Sequence, residues 1–314
     1  MKKIKTFFLL LKEHPFNVIS TIFWKLSNMG FLNFINDKTY IKLAYFCVFH
    51  KRLNLVSPKT FNEKIQWLKI YDRKPIYKKM VDKYEVKRIV SKCIGEEYII
   101  PTLGIWDDVD EIDWNSLPNS FVLKTTNGSG GFDVIICKDK NILDKEYIIA
   151  KLKKSLDDHA FWFGREWPYK DLPKRIIAEK FMFDSCSNNT DLTDYKFYCF
   201  NGKPTFCQVI RDRRTTETID FYDMHWQHMP FVGLNPKVSN GKNPVPKPIH
   251  LDKMVKICQD LTPNIPFARV DLYLIDDAIY FGEITFYPAS GFGKFTPDIW
   301  DYKIGEYLNI EQLN

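Results

Sequence analysis

The sequence lacks any apolar run close to the length that a membrane-spanning helix needs. Such a helix takes ~20 residues, whereas the apolar run near the start extends only from Phe7 to Leu11. Lys2, Lys3 and Lys5 precede this run as they would in a signal peptide, but no small-residue cleavage site follows it. Neither a spanning helix nor a cleaved leader is predicted.

The seven cysteines include no C-x-x-C pair, and their number is odd. A zinc site of paired cysteines and a disulfide framework are therefore not indicated. The simpler interpretation is a protein of the reducing cytosol whose thiols act as small core residues. We accordingly expect a cytoplasmic protein.

The composition also lacks the polarity of a disordered chain. Hydrophobic residues make up 45% and charged residues 27% of 314 residues, enough for two packed lobes or for one core with an added subdomain. The net charge is +6, and basic residues are spread along the chain. This favours anionic small substrates or a membrane surface as partners over nucleic acid.

Three familiar catalytic patterns are missing as well. No Ser-His-Asp order includes any of the six histidines. The loop Thr125 to Asp133 is rich in glycine, but no G-K-[ST] follows it as in a Walker loop. No D-x-D motif follows a Rossmann-type strand, as a glycosyltransferase that uses a nucleotide-sugar would require.

The stretch from Ala268 to Gly293 is the most informative part of the sequence. Its alternation predicts two antiparallel strands joined by a three-residue loop, Asp276 to Ala278. In that register Asp271 lies opposite Glu283, and Thr285 follows on the same face. Carboxylates placed in this way suit Mg²⁺, although an ordinary solvated hairpin would show the same pattern. Carboxylates more than ~10 Å apart would exclude a shared metal site.

Several other elements can be placed from local signals. Thr60 and Glu63 form a capping box that predicts the start of a helix. Gly95 is predicted to end a helix that carries Asp82, Lys83 and Lys87. Short strands are predicted at Tyr98 to Pro101 and at Leu103 to Trp106, and Asn201-Gly202 predicts a hairpin turn. Helices mixed with hairpins indicate an α+β fold.

Two further segments could bind a nucleotide. Lys124 ends a predicted strand and precedes the glycines of the loop, whose backbone N–H groups could surround phosphates. Glu179 and Lys180 end another strand, and the backbone at Phe181 and Met182 could pair with an adenine edge. Each pattern also occurs in proteins that bind no nucleotide.

The order of these pieces resembles the ATP-grasp superfamily. The segments SPKTFNEKIQWLKIYDRKP, VDKYEVKRIV, FVLKTTNGSGG, DYKFYCFNGKP and RVDLY to FGEIT are closer still to its TupA-like branch, which is associated with teichuronopeptide and capsular polysaccharide synthesis. The similarity covers about residues 55 to 310. It implies an ATP-grasp fold, in which two α+β lobes clamp ATP.

The resemblance also implies a role for each matching residue. Lys83 and Lys124 would contact the ATP phosphates, with Lys87 as a further candidate. Gly128, Ser129, Gly130 and Gly131 would close over the phosphates. Adenine would be held by Glu179 with the backbone of Phe181 or Met182, and the ribose by Asp194. Asp271 and Glu283 would bind Mg²⁺, and Arg269 would neutralise the transferred phosphoryl group.

The chain departs from the superfamily pattern at one position. Thr285 stands where the superfamily usually has Asn in its E-x-N metal pair. A hydroxyl can ligate Mg²⁺ but is a poorer ligand than an amide oxygen, which puts a second metal site in doubt.

The resulting hypothesis is an ATP- and Mg²⁺-dependent carboxylate-amine ligase, acting through an acyl phosphate in cell-surface polysaccharide synthesis. Its substrates would be a carboxylate-bearing sugar or amino acid and an amine acceptor. One alternative is a glycosyltransferase that uses a nucleotide-sugar in the same pathway. Another is a non-catalytic carbohydrate-binding protein, supported only by the 16% aromatic content.

The expected domain organisation follows from the order of the motifs. Residues 1–56 form a helical extension, 57–120 an N-terminal subdomain, 121–183 the glycine-loop lobe and 184–314 the lobe with the metal site. Phe16, Ile19, Phe23 and Leu26 recur at helical spacing in the extension. We favour a helix packed on the body, while a contact with the inner face of the membrane stays open.

Overall fold

The structure, a computed structural model, describes residues 15–128, 134–157, 160–185, 191–235 and 237–311. Within these residues, five helices precede the first strand. Their bounds, with those of the later helices, are α1 Pro15–Asn28, α2 Asp37–Phe49, α3 Phe61–Tyr71, α4 Ile76–Val81, α5 Glu85–Ile94, α6 Lys145–Asp157, α7 Ala160–Gly164, α8 Leu251–Leu261 and α9 Ile299–Tyr307.

The strands occur in three groups along the chain, which are separated by helices. The first group is β1 Thr102–Trp106, β2 Phe121–Thr125 and β3 Ile135–Cys137. The second is β4 Ile176–Lys180, β5 Asp194–Phe200, β6 Lys203–Arg211, β7 Thr218–Asp223 and β8 Val232–Gly233, and the third is β9 Phe267–Ile275, β10 Ala278–Thr285 and β11 Phe295–Thr296.

The strands form two main sheets and one small one. A four-stranded sheet has the order β1-β4-β2-β3, and a five-stranded sheet has the order β10-β9-β5-β6-β7. Strands β8 and β11 make a separate pair. Every named pair is antiparallel, which confirms the expected α+β class.

Each main sheet has its own hydrophobic core. The larger cluster packs the five-stranded sheet against α2, α3 and α8, with Phe61, Phe197 and Met254 fully enclosed. The smaller cluster lies against the four-stranded sheet and includes Phe121, Leu123 and Leu152. Burying such a side chain stabilises the fold by about 1.5–3 kcal/mol. Two separate cores produce two lobes, one for each set of site residues.

Most local signals are confirmed by the structure. Thr60 caps α3 with its side chain, and the Glu63 side chain completes the capping box. The Asn201-Gly202 turn joins β5 to β6, because Phe200 pairs with Lys203. Both turn residues have positive φ, 49° and 75°, as a two-residue hairpin turn requires.

Two local predictions are wrong. The helix that ends before Gly95 begins only at Glu85, so Asp82 and Lys83 lie in the turn between α4 and α5. The reason is that the Asp82 carboxylate accepts bonds from the N–H groups of Tyr84 and Glu85 and starts a new helix there. Tyr98 to Pro101 is not a strand, since a 3₁₀ turn occupies Glu96–Tyr98 and only Ile99 forms a bridge.

The four-stranded sheet combines β1, from the predicted 57–120 segment, with strands of the 121–183 segment. Across the described ranges, none of the helices has both the length and the apolar character needed to span a bilayer.

Candidate active site

The β9–β10 hairpin places Glu283 opposite Asp271 and Thr285 opposite Arg269, as the sequence predicts. The predicted three-residue loop is wrong, however. Only Asp276 and Asp277 form the turn, both with positive φ, and Ala278 already pairs with Ile275. A bulge between Phe281 and Glu283 then shifts the register by one residue and restores the expected pair.

Gly282 is the residue that makes this bulge possible. A Cβ atom at this position would lie 3.0 Å from the Tyr273 ring and 3.1 Å from the Asp271 carbonyl oxygen. Such contacts are too short for an ordinary side chain without movement of the neighbouring strand. The glycine therefore supports the register that brings the two acids together.

Charged side chains form a row across three neighbouring strands. Asp271 on β9 lies between Glu283 on β10 and Lys196 on β5. The Lys196 ammonium contacts the Asp271 carboxylate and lies 3.3 Å from Asp194 Oδ1. Because facing residues in a sheet share one surface, all these groups open onto the same side of the five-stranded sheet.

Arg269 links the members of this row. Its Nε and Nη2 nitrogens donate to Asp271 at 2.7 and 2.8 Å, and Nη2 also donates to Glu283 Oε1 at 2.9 Å. The same nitrogen lies 3.0 Å from the Thr285 hydroxyl. Both carboxylates contact one nitrogen atom, so their separation cannot exceed the sum of those two distances and falls well below the limit of ~10 Å.

The two carboxylates differ in exposure and in the direction in which their pKa values shift. Burial raises the pKa of Asp271, while Arg269 and Lys196 act against that rise. Burial also opposes ionisation of Glu283, but Lys196, Arg269 and Lys83 outweigh it and lower the pKa of Glu283 to about 2. The Glu283 side chain is 49% exposed. Glu283 is therefore charged, and it is the more accessible carboxylate of the pair, since Asp271 is buried.

Asp194 lies at the start of β5, beside this row. Its carboxylate is bound by Lys196 and by Arg213, whose Nε is 2.9 Å away. The predicted role of Asp194 as a ribose ligand stays a prediction. In the structure its carboxylate is held by two cations.

A second charged cluster lies on the four-stranded sheet. Glu179 on β4 accepts ion pairs from Lys124 on β2 and Lys87 on α5, each at 2.6 Å. Lys87 also donates to the Ile100 carbonyl and the Thr102 hydroxyl, at 2.8 and 2.9 Å. Burial alone would raise the pKa of Glu179, but the two lysines reverse that effect and lower it. Two lysines against one carboxylate leave this cluster positive.

Lys83 lies between the two clusters, near the glycine loop. Its ammonium donates to the Thr125 and Gly128 carbonyls, and its backbone N–H donates to Thr126. Its charge also helps to lower the pKa of Glu283 on β10. Ser129, Gly130 and Gly131 lie outside the described residues, so their predicted contact with phosphates stays a prediction.

The segment after β4 connects the two lobes. Phe181 and Met182 are partly buried. Ser185 donates from its backbone and its hydroxyl to Asp276 in the β9–β10 turn, at 2.9 and 2.5 Å. The strand that carries Glu179 is thereby tied to the hairpin that carries Glu283. Adenine binding at Phe181 and Met182 is not tested by this geometry.

A strained loop follows the β9–β10 hairpin. Ala289 and Ser290 both adopt left-handed φ, 47° and 53°, at a cost of order 1–3 kcal/mol each. Two polar side chains on one stripe of α3, Gln66 and Lys69, donate hydrogen bonds to the carbonyl oxygens of this loop. Gln66 donates to Ser290 and Gly291, while Lys69 donates to Ser290 at 2.6 Å and to Gly164 at 2.7 Å.

The stripe is fully enclosed, which makes its chemistry unusual. Lys69 has no solvent exposure, and burial lowers its pKa to about 7 despite the nearby carboxylate of Glu166. Burial raises the pKa of Glu166 in turn, with Lys69 and Ser290 opposing. The Lys69 ammonium donates to the Gly164 carbonyl, the Ser290 carbonyl and the Ser290 hydroxyl, so its three N–H groups all have partners. We therefore assign Lys69 the task of positioning the loop, and the Gln66 amide nitrogen adds two further bonds to it.

The donor set on the hairpin fits Mg²⁺. Asp271 and Glu283 offer hard oxygen ligands and Thr285 a hydroxyl, and Mg²⁺ typically takes one or two carboxylates together with substrate phosphates. Among the described residues, no group of three or more His, Cys, Asp or Glu side chains forms a self-sufficient metal site.

Sequence reasoning missed three residues of this region. Lys196 shares a strand face with Asp194 two residues earlier, so the period of two in DYKFYCF could have revealed it. Gln66 and Lys69 form a second stripe beside the apolar stripe of α3. In the sequence this polar stripe is typical of a solvent-exposed helix face. The structure shows that it faces inward, because Gln66 and Lys69 are as buried as the apolar stripe.

The TupA-like ATPgrasp family matches residues 63–309 of the chain. No curated protein matches it. The match to the family covers most of the chain.

Solved structures of low sequence similarity also match. One is a D-alanine–D-alanine ligase from Bacillus anthracis complexed with ATP, at 16% identity and a TM-score of 0.37, covering 66% of this chain and 53% of that one. Another is a RimK domain ATP-grasp protein from Sphaerobacter thermophilus, at 10% identity and a TM-score of 0.42, covering 76% and 70%.

A third is the ATP-grasp ligase PsnB complexed with a minimal precursor, Mg and ADP, at 10% identity and a TM-score of 0.36, covering 72% of this chain and 57% of that one. The chain thus spans little more than half of the first and third of these proteins. Similarity at this level assigns no role to any residue.

Proposed function

We propose, because this chain belongs to the TupA-like ATP-grasp family, that it is an ATP- and Mg²⁺-dependent carboxylate-amine ligase. The observation that carries the proposal is the pairing of two charged clusters on facing lobes. The Lys124–Glu179–Lys87 cluster is positive, and the row of Glu283, Asp271 and Lys196 presents oxygen ligands beside Arg269. A nucleoside triphosphate bound with its cation needs positive charge for its phosphates and oxygen ligands for the cation.

Each cluster would have a distinct task. Lys124 and Lys83 would bind phosphate oxygens. Lys87 would hold the Glu179 carboxylate in place beside Lys124. Asp271, Glu283 and Thr285 would hold Mg²⁺, which would neutralise phosphate charge and orient the transferred group. Arg269 would shift part of its bonding from the carboxylates to the phosphoryl group as negative charge develops there.

The proposed reaction has two steps. A substrate carboxylate attacks the γ-phosphorus of ATP, which forms an acyl phosphate and releases ADP. An amine then attacks the acyl carbon, which forms the amide, releases phosphate and gives up a proton. The protein supplies positioning and charge neutralisation, and no covalent enzyme intermediate is needed.

The glycine loop and the connecting segment would complete the nucleotide site. Gly128, Ser129, Gly130 and Gly131 would cover the phosphates. The backbone at Phe181 or Met182 would accept adenine, and Asp194, released from Arg213, would meet the ribose. Glu179 has its carboxylate bound by two lysines, so its contribution to adenine binding would come through its strand rather than through a free side chain.

We further propose that the reaction takes place in the cytoplasm and serves cell-surface or capsular polysaccharide synthesis. The carboxylate would belong to a sugar acid or amino acid, and the amine to an amino acid or amino sugar. These substrates follow from the resemblance of the sequence to the TupA-like branch.

The test is to incubate the protein with Mg²⁺, ATP and panels of acids and amines, and to measure nucleotide release. We expect ADP to appear only when an acid is present, and an amide to form only when an amine is added. Release of UDP from a UDP-sugar would instead establish the glycosyltransferase. Sugar binding without release of either nucleotide product would establish the carbohydrate-binding protein.

A further inference from the structure

Helix α1 leaves one apolar face uncovered. Ile19, Ile22 and Leu26 are 48%, 41% and 37% exposed. Their spacing of three and four residues places them on one side of the helix. Phe23 and Ser27 lie on the adjacent flank of the same apolar stripe and are buried. The helix therefore packs on the body with one edge of this stripe and presents the other edge to the outside.

The exposed apolar surface continues beyond the helix. Met29, Phe31 and Phe34 are 58%, 59% and 86% exposed. Isolated exposed apolar residues are normal on any protein. Of the twenty large hydrophobic residues exposed in the described ranges, however, eight lie between residues 16 and 43. We call Ile19, Ile22, Leu26, Met29, Phe31 and Phe34 the N-terminal apolar face.

The net positive charge of the chain is concentrated in the same region. Residues 1–52 contain nine Lys or Arg and two Asp or Glu, whereas residues 53–314 contain 36 and 37. Basic residues do occur along the whole chain, but their excess over acidic residues does not. Lys25 is exposed on α1 itself, and Lys38 and Lys42 are exposed on α2, which packs against α1 through Phe46 and Cys47.

The one acidic residue of this region in the described part of the chain is already neutralised. Asp37 accepts Arg73 at 2.8 Å and Arg165 at 3.1 Å. Within residues 15–52, no carboxylate without a cationic partner therefore competes with the exposed lysines.

We propose that the N-terminal apolar face binds the surface of an anionic lipid bilayer. Apolar side chains on a helix flanked by lysines are suited to the boundary between acyl chains and negatively charged headgroups. A second copy of this chain fits less well, because two such faces would bring like charges together. The inference goes beyond the ligase activity and would stand if that activity were disproved.

The first experiment is co-sedimentation of the full chain with lipid vesicles. Vesicles of phosphatidylcholine with 30% phosphatidylglycerol, roughly the range in which surface charge attracts basic segments, are compared with vesicles of phosphatidylcholine alone. We expect binding to the anionic vesicles that weakens as salt is raised, because screening shortens the reach of the lysines. Equal binding to both vesicles, or none to either, would overturn the proposal.

Two sets of variants locate the surface. Ile22→Ser with Leu26→Ser and Phe34→Ser should reduce vesicle affinity by about tenfold or more. Lys38→Glu with Lys42→Glu should have a similar effect. Matched controls are Ile142→Ser with Ile249→Ser, which are 83% and 76% exposed on other parts of the chain, and Lys203→Glu with Lys237→Glu. The controls should bind as the unaltered chain does.

Circular dichroism and thermal unfolding check that all variants fold. If the control variants lose as much affinity as the N-terminal ones, the binding is not local and the proposal fails. Light scattering without lipid addresses self-association. A dimer that the Ser variants convert to a monomer, in a chain that does not bind vesicles, would identify the N-terminal apolar face as a contact between copies instead.

Discussion

In the four-stranded sheet one carboxylate, Glu179, lies between two lysines, whereas in the five-stranded sheet two carboxylates, Glu283 on β10 and Asp271 on β9, lie side by side with Lys196 on β5. The first arrangement leaves spare positive charge. The second leaves Glu283 ionised and half exposed beside Arg269. One lobe is thus suited to bind an anion and the other to bind a cation, and the two meet where Lys83 influences Glu283.

The largest effect is expected from the lobe with the oxygen ligands. Glu283→Gln should lower kcat by about 10²–10³-fold, because a carboxylate that holds the cation acts mainly in the transition state. The Kd for ATP should change only a few-fold, since the lysine cluster remains. ADP release measures the first quantity and calorimetric titration the second. Glu146→Gln, at an exposed site on α6, is the matched control, and unchanged turnover in Glu283→Gln would refute the metal role.

The next effect concerns the lobe with the lysines. Lys124→Met should weaken ATP binding by about 100-fold and also destabilise the protein by about 1–3 kcal/mol, because Glu179 is buried and loses one of its two partners. Calorimetry and urea unfolding measure the two effects.

The double variant Lys124→Met with Glu179→Gln separates them. It removes the unpaired charge and should recover most of the stability without recovering the affinity. If affinity returned with stability, Lys124 would act on the fold and not on the nucleotide.

A substitution of Lys69 tests how the loop that follows the β9–β10 hairpin is held. The pKa of Lys69 is about 7 in the folded protein, against 10.5 as its ordinary value, so between these pH values the unfolded chain binds more protons than the folded one. The free energy of unfolding should therefore rise with pH across this window. Lys69→Met should remove that rise.

Urea unfolding at pH 7 and at pH 9.5 measures the difference. Lys92→Met, at an exposed position of α5, should keep the pH dependence of the unaltered protein. The same pH dependence in Lys69→Met would show that the buried ammonium does not titrate in this range.

The smallest effect is expected at Thr285. Thr285→Asn replaces the hydroxyl by an amide oxygen, a better ligand for Mg²⁺. We expect the Mg²⁺ concentration for half-maximal activity to fall by about two- to fivefold with little change in kcat. A rise in that concentration would show that the hydroxyl serves Arg269, which it contacts at 3.0 Å, and not the cation.

The sequence predicted the order of the elements and the acids of the hairpin, because period-two alternation and turn residues are local signals. It also predicted the pair of Asp271 and Glu283, though through a loop one residue too long. The structure reaches the same pair by a shorter turn and a bulge at Gly282. A three-residue loop without a bulge and a two-residue turn with a one-residue bulge give the same pair. The sequence alone does not distinguish these two arrangements, because the difference lies in how the strands pair.

Contacts between distant segments were not predictable. The bonds of Lys87 and Lys124 to Glu179 join α5, β2 and β4, and no local pattern sets which acid a lysine meets. The inward stripe of α3 was hidden for the same reason. Its partners, around Ser290, lie more than two hundred residues further along the chain.

The most direct measurement is a crystal structure of the protein with a non-hydrolysable ATP analogue and Mn²⁺, with the metal located by its anomalous signal. The account predicts phosphates beside Lys83 and Lys124, and a metal within about 2–2.3 Å of oxygens of Asp271 and Glu283. A nucleotide bound elsewhere, or a metal that contacts neither carboxylate, would contradict it.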